Sequence, residues 1–232
     1  MGARARLIRS PLEIDSGDLL VFPGQGAIAD AMKLLKSTGF DSAIRDWIAA
    51  GKPFFGICLG LQALFQFSEE GGGTECLGVF EGSVKKLNLP RGFKVPHMGW
   101  DNVDFRRDGR REKLLDGISD ADQFYFVHSY YVETPRADIV WGTTEYGGQK
   151  FVSAVSGKEP KQGIAPLLQF SEKRGRGMRR QLNRAALWRG IFPLFGGGNA
   201  RHLPRFRQKG ELSEESPPFI VALRAEVENQ RR

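Results

Sequence analysis

The chain has 232 residues, 41% hydrophobic and 26% charged, a balance that suits a folded α/β domain with a core of ordinary size. No apolar run approaches the roughly 18 residues of a membrane-spanning helix, and the opening MGARARLIRS has no apolar signal-peptide core. The net charge of +7 is uneven: residues 1–172 hold 20 Lys/Arg and 22 Asp/Glu (−2), and residues 173–232 hold the other 14 and 5 (+9).

The first regular stretch, GDLLVFPGQGAIADAMKLL, reads as a buried strand from Leu19 to Phe22, a Pro-Gly-x-Gly loop and a helix. FDSAIRDWIAAGK is an amphipathic helix with Ile44, Trp47 and Ile48 on one face and Gly51 as its stop. PFFGIC is the next strand, and Leu59 to Glu70 reads as a helix ended by Gly71, Gly72 and Gly73. Strand and helix alternating at this spacing predict a mostly parallel central sheet flanked by crossover helices. From Leu77 the texture changes to short β-rich segments such as SVKKL, KVPHMGW, FYFVHSYYVE, IVWGTTEYGG and FVSAVS, expected to form hairpins added to that sheet. RRDGRREK, Arg106 to Lys113, reads as a solvated charged turn. Beyond Glu172, Gly and Arg are scattered without period, and a helix over Met178 to Trp188 is the one regular element suggested.

Gly56-Ile57-Cys58-Leu59-Gly60 joins the strand PFFGIC to the helix after it. Glycines two before and two after a nucleophile relieve crowding at a sharp strand-to-helix turn, the mechanics of G-x-S-x-G with cysteine as the nucleophile. A helix starting at Leu59 would aim its N–H groups at the sulfur and favour the reactive thiolate. An acyl oxyanion could then be bound by the Leu59 N–H and by one from the Pro23–Gly26 loop. The bland alternative is an inert buried thiol. Cys58 and Cys76 form no CxxC and no metal pair, and two separate thiols are expected rather than a disulfide.

GICLGLQ, with PGQG upstream, resembles the class I (triad) glutamine amidotransferases. KVPHMGWDNV (Lys94 to Val103), FYFVHSYYVE (Phe124 to Glu133) and TTEYGGQKFVSAV (Thr143 to Val155) are similar to one branch, the glutaminase subunits of imidazole glycerol phosphate synthase. The resemblance runs from Gly17 to Lys173. It implies a flavodoxin-like α/β domain over residues 1–173 and a separate basic tail over 174–232. It also implies a Cys58 thioester, glutamine as substrate, no cofactor or metal, and a cytoplasmic heterodimer with a (β/α)8-barrel synthase that receives the ammonia. Gln62 matches the position that contacts the substrate amino acid; Gly24 and Gly26 match the oxyanion loop, with Leu59 as second donor. His128, Ser129 and Tyr130 match the strand that holds the glutamine α-groups, and Pro96, His97, Met98, Gly99 and Trp100 the partner interface. For Trp100 and Tyr130, ordinary packing is an equal alternative.

Two departures stand out. The family completes its triad with Gln-Phe-His-Pro-Glu-Lys, and this chain has Gln169-Phe170-Ser171-Glu172-Lys173, so Glu172 survives while Ser171 replaces the His-Pro pair. A serine accepts no thiol proton at neutral pH. His97 and His128 are claimed by other motifs and His202 lies in the tail, so the motifs place no histidine to serve Cys58. The lost base, the change of composition and the added length together favour a reading-frame shift near codon 170 over a basic extension or a solvated tail. The tail has no nucleic-acid-binding pattern and few aromatics among its arginines. At the other end the resemblance implies a start about two dozen residues short, lacking a strand and leaving a sheet edge unpaired.

Overall fold

The structure, a computed structural model, describes residues 3–24, 26–107, 115, 118–157, 167–168, 170–174 and 220–225. The elements run β1 (Ala3–Ile8), a 3-10 turn (Pro11–Ser16), β2 (Leu19–Gly24), α1 (Ile28–Thr38), α2 (Phe40–Ala49), β3 (Phe54–Cys58) and α3 (Leu59–Gln62). They continue with β4 (Phe67–Ser68), β5 (Thr74–Glu75), β6 (Ser83–Lys86), β7 (His97–Asn102), β8 (Asp104–Phe105), β9 (Gln123–His128) and β10 (Tyr130–Glu133). The last are β11 (Val140–Tyr146), β12 (Gln149–Val155), β13 (Leu167–Leu168), β14 (Phe170–Arg174) and β15 (Ile220–Ala225). The main sheet has the order β1-β15-β2-β3-β13-β12-β10-β6-β4-β5, with β11 on β12 and β8 on β11; a second sheet is β14-β9-β7.

The α/β class holds, but the main sheet is mixed. Parallel pairing is confined to β2–β3, β3–β13 and β4–β6, and the other ladders are antiparallel. The alternation of β2 explains the layering. Leu20 and Phe22 face the core formed with α1 and α2, while Leu19 and Val21 face a second core shared with Phe124, Phe126, Trp141 and Phe151. A strand buried on both faces is apolar throughout, as LLVF is. The α2 helix buries Phe40, Ile44, Trp47 and Ile48, as its spacing predicts, and the Trp47 indole donates to the Pro53 carbonyl at 2.8 Å.

Three expectations change. The helix expected to Glu70 stops at Gln62 because the carbonyls that would continue it are taken. Leu77, Phe80 and Gly78 amides donate to the carbonyls of Ala63, Leu64 and Phe65, and β4 then joins the sheet. FYFVHSYYVE is two strands in two sheets, with Ser129 as the crossing point. The sheet edge expected to stand unpaired is filled by β15, antiparallel to β2 with Val221 opposite Val21, so part of the tail is regular strand. Most of the charged turn at Arg106 to Lys113, and the helix over Met178 to Trp188, lie outside the described residues.

Candidate functional site

β3 delivers Cys58 to the end of the sheet, where its backbone takes φ 53°, ψ −108°, the one non-glycine positive φ among the described residues. Such a conformation costs on the order of 1–3 kcal/mol and persists only where its surroundings impose it. Here they do. Gly24 pairs with Cys58 in the β2–β3 ladder, and Gly60 presses so closely on the Phe22 carbonyl that a Cβ would lie 2.0 Å from that oxygen. The sharp turn read from the two glycines is therefore present, and the ladder sets Pro23 and Gly24 beside Ile57 and Cys58. Gly26 has φ 101°, which favours glycine, and Gln25 lies outside the described residues.

The thiol itself behaves differently from the sequence expectation. A helix of only four residues, Leu59–Gln62, contributes little field, and burial pushes the Cys58 thiol up rather than down. The Glu70 carboxylate pushes it further up, against a hydrogen bond from the Leu59 N–H to the sulfur. Cys76, also a free thiol, is pushed up by burial to about 11. Alkylation of Cys58 by iodoacetamide is thus expected to reach half its maximal rate at a pH above that of an exposed cysteine. A rate-against-pH profile, with Cys58→Ala as background, checks this; a profile shifted to acid would mean an activated thiolate.

Glu70 was not singled out in the sequence. Its Oε2 accepts from the N–H of Ile28, the first residue of α1, at 2.9 Å, so it ties the start of α1 to the turn at Glu70–Gly72. The only signal for it was an acidic pair, Glu69-Glu70, ahead of three glycines.

One turn past the nucleophile, Gln62 is buried and donates from Nε2 to the Tyr130 carbonyl at 3.1 Å. The same carbonyl contacts His128 Nδ1 at 2.9 Å. His128 Nε2 meets His97 Nδ1 at 3.0 Å, and His97 Nε2 meets Asp101 Oδ2 at 2.8 Å. All four ring nitrogens of the two histidines are therefore committed to one another, to Asp101 and to Tyr130, while His202 lies outside the described residues. Asp101, too, was missed in the sequence, because its placement follows from the strand geometry of β7 and not from a motif. Ser129 contributes its carbonyl to the Leu87 N–H at 2.9 Å.

The predicted interface segment splits by strand alternation. His97 is fully buried, so its assignment to a partner surface is corrected: it points inward, stacked on Tyr146 with ring centroids 3.9 Å apart. Met98 points outward, 59% exposed, opposite Val127 in the β7–β9 ladder, itself 45% exposed. Pro96 is exposed, Gly99 and Trp100 are half-buried, and Trp100 packs edge-on against Tyr125 at 5.3 Å.

The segment that should close a triad passes the elbow and leaves it. Leu168 lies beside Ile57, one residue before the nucleophile, in the parallel β13–β3 ladder. β14 then crosses to the second sheet with Phe170 opposite Phe126 and Glu172 opposite Tyr125, leaving Ser171 as a one-residue bulge. Gln169 lies outside the described residues. Among the described residues no group of three or more His, Cys, Asp or Glu could hold a metal ion, and no helix is long and apolar enough to cross a membrane.

The glutamine amidotransferase class-I family matches residues 5–164. The chain is 42% identical over 182 residues to the imidazole glycerol phosphate synthase subunit HisH of Moorella thermoacetica, covering 74% of this chain and 84% of that one. It is 40% identical over 176 residues to the HisH subunit of Rhodopirellula baltica, covering 76% and 81%. Among solved structures, a glutamine amidotransferase superposes with a TM-score of 0.51 at 16% identity over 71% of this chain and 75% of that one, a likeness of fold.

Proposed function

The chain belongs to the class I glutamine amidotransferases and, within them, to the HisH subunits of imidazole glycerol phosphate synthase, and we propose that it works through Cys58 to supply that synthase with ammonia. The Cys58 sulfur attacks the carboxamide carbon of glutamine, the carbonyl oxygen takes negative charge, and the C–N bond then breaks. The thiol's proton passes to the nitrogen, which leaves as ammonia; a thioester remains, and water releases glutamate and restores the thiol. The observation that carries this reading is the strained elbow, φ 53° at Cys58, with the Leu59 N–H directed at the reacting atom. Gly24 and Gly26 would shape the second oxyanion donor, and Gln62 with the Ser129–Tyr130 backbone would hold the substrate's amino-acid end.

What the chain supplies poorly is a proton acceptor. Ser171 cannot serve, and the two described histidines have no nitrogen to spare. Turnover by the unmodified chain is therefore expected to be low, with binding of glutamine and partner retained. The test is glutamate release in the presence of the barrel synthase, with Cys58→Ala as background. Release at the background level together with no glutamine binding would overturn the reading.

The name of the relatives, a subunit, implies a second chain. The partner is a (β/α)8-barrel synthase, and its docking face is the outer surface of β7 and β9. Met98 and Val127, opposite each other in that ladder, are 59% and 45% exposed, an apolar pair that a partner would cover. Met98→Asp is expected to weaken docking at least tenfold, since it sets a desolvated charge at the centre of that face. Titration of the labelled synthase measures this, and unchanged affinity would move the interface elsewhere. A two-subunit biosynthetic enzyme of this kind belongs in the cytoplasm.

A further inference from the structure

We propose that Asp101, His97 and His128 form a proton-sharing unit that positions the Tyr130 carbonyl against Gln62, so that the glutamine pocket is held from the docking strand β7. This rests on the reading of Cys58 and Gln62 as the glutamine site.

The proton count follows from the contacts. A carbonyl only accepts, so His128 Nδ1, 2.9 Å from the Tyr130 oxygen, must donate. Burial keeps His128 neutral, its pKa pushed down to about 4, so its Nε2 is an acceptor. His97 Nδ1, 3.0 Å away, must then be the donor. That leaves His97 Nε2 2.8 Å from a carboxylate oxygen of Asp101, a separation that two lone pairs do not hold. A third proton therefore sits in this contact, and His97 is an imidazolium paired with Asp101. Burial, the larger influence, pulls His97 toward the neutral ring and Asp101 opposes it in part, so the charged form stands on the contact geometry. The short contact decides for the charged form.

Among the described residues Asp101 is the one carboxylate that acts on these rings. From β9, β11 and β12 the rings are faced by Phe126, Tyr146 and Phe151, and of these only Tyr146 titrates, with its hydroxyl turned to the Lys94 carbonyl at 3.3 Å. Across the ladder Asp101 lies opposite Phe124. The chain of bonds ends on a carbonyl with two lone pairs, one taken by His128 and the other by Gln62 Nε2. Met98 and His97 are adjacent on β7, one outward and one inward. The strand that presents the docking face thus also carries the first ring of the unit.

The sign of the pH dependence is fixed by the extra proton. Free imidazole has largely given it up by pH 7, with a pKa of about 6.5. The folded unit keeps it, so its support is present at and below neutral pH and is lost as pH rises through the unit's own titration. One contact then becomes lone pair against lone pair, and the Tyr130 carbonyl loses its anchor.

The experiment is nitrogen NMR of the full chain labelled at its three histidines, with His202→Gln for assignment, alongside calorimetry of glutamine on the Cys58→Ala chain from pH 6 to 9. At pH 7 one ring should be doubly protonated and one should carry its proton on Nδ1. Glutamine affinity should fall roughly fivefold as the doubly protonated signal titrates away, the effect of one ordinary hydrogen bond. Asp101→Asn keeps a donor to His97 Nε2 without the extra proton, so it should fold, lose the doubly protonated signal and bind glutamine with a flat pH profile. A purely structural Asp101 predicts no change in that profile. Two neutral rings at pH 7, or an Asp101→Asn chain with the original profile, would overturn the proposal. Absence of glutamine binding at every pH would instead overturn the functional reading and the link to the pocket, while the ring signals decide the proton unit by themselves.

Discussion

Replacing Gly60 with alanine is expected to lower stability by about 3 kcal/mol or more, among the larger effects of a single added methyl. The new Cβ would lie 2.0 Å from the Phe22 oxygen and 3.0 Å from its carbonyl carbon. Neither atom can move alone. Phe22 is paired with Gly56 in the β2–β3 ladder, and its ring is fully buried in the helix-side core. The clash is therefore relieved by pushing α3 away from the sheet, which carries Cys58, Leu59 and Gln62 with it. Urea unfolding should show the loss as a lower midpoint, and Cys58 alkylation should accelerate as the elbow opens. Gly26→Ala is a useful contrast: it meets nothing within 4 Å, so its strain comes only from φ 101°. An unchanged midpoint for Gly60→Ala would mean that the elbow is looser than its contacts indicate.

A chain with His-Pro in place of Ser171 is expected to release glutamate on the order of 10³-fold faster than the unmodified chain, the scale of effect when a nucleophile regains its base. The position matters as much as the residue. Leu168 runs beside Ile57, so the residues just after it are those the chain can bring to the sulfur. Ser171 now sits in a bulge, and Glu172 lies opposite Tyr125 on the second sheet. Two residues in place of one would change that register as well as supply an imidazole. Glutamate release should be measured with the barrel synthase present, against Cys58→Ala. Equal turnover with and without the insertion would mean that some other group already takes the thiol proton.

The parts legible in the sequence were those governed by short-range rules. LLVF and PFFGIC announced buried strands by composition, FDSAIRDWIAA its helix by spacing, and GICLG its elbow by two glycines. What was not legible depended on partners distant in sequence. The helix after Leu59 is shorter than its spacing predicts, and nothing local reveals that amides at 77, 78 and 80 take the carbonyls that would continue it. His97 was assigned to the surface with its neighbours because PHMGW gives no sign of which face of β7 turns inward. The thiol was expected to be acidic because a helix start was assumed to outweigh burial, and with four residues it does not. Glu70 and Asp101 act through bonds to Ile28 and His97, and only the folded chain brings the first of those pairs together.

The position of β15 has a consequence for the order in which the molecule can be completed. Among the described residues β1 pairs only with β15, and β15 in turn pairs with β2, so residues 3–8 are fastened to the sheet through residues 220–225. On a ribosome the residues of β1 are made well before residues 220–225 and wait for them before they gain this hydrogen-bonding neighbour. Until β15 is made the β2 edge is open to any other extended chain nearby, including another nascent copy. A chaperone that shields that edge during synthesis would therefore raise the yield of folded protein.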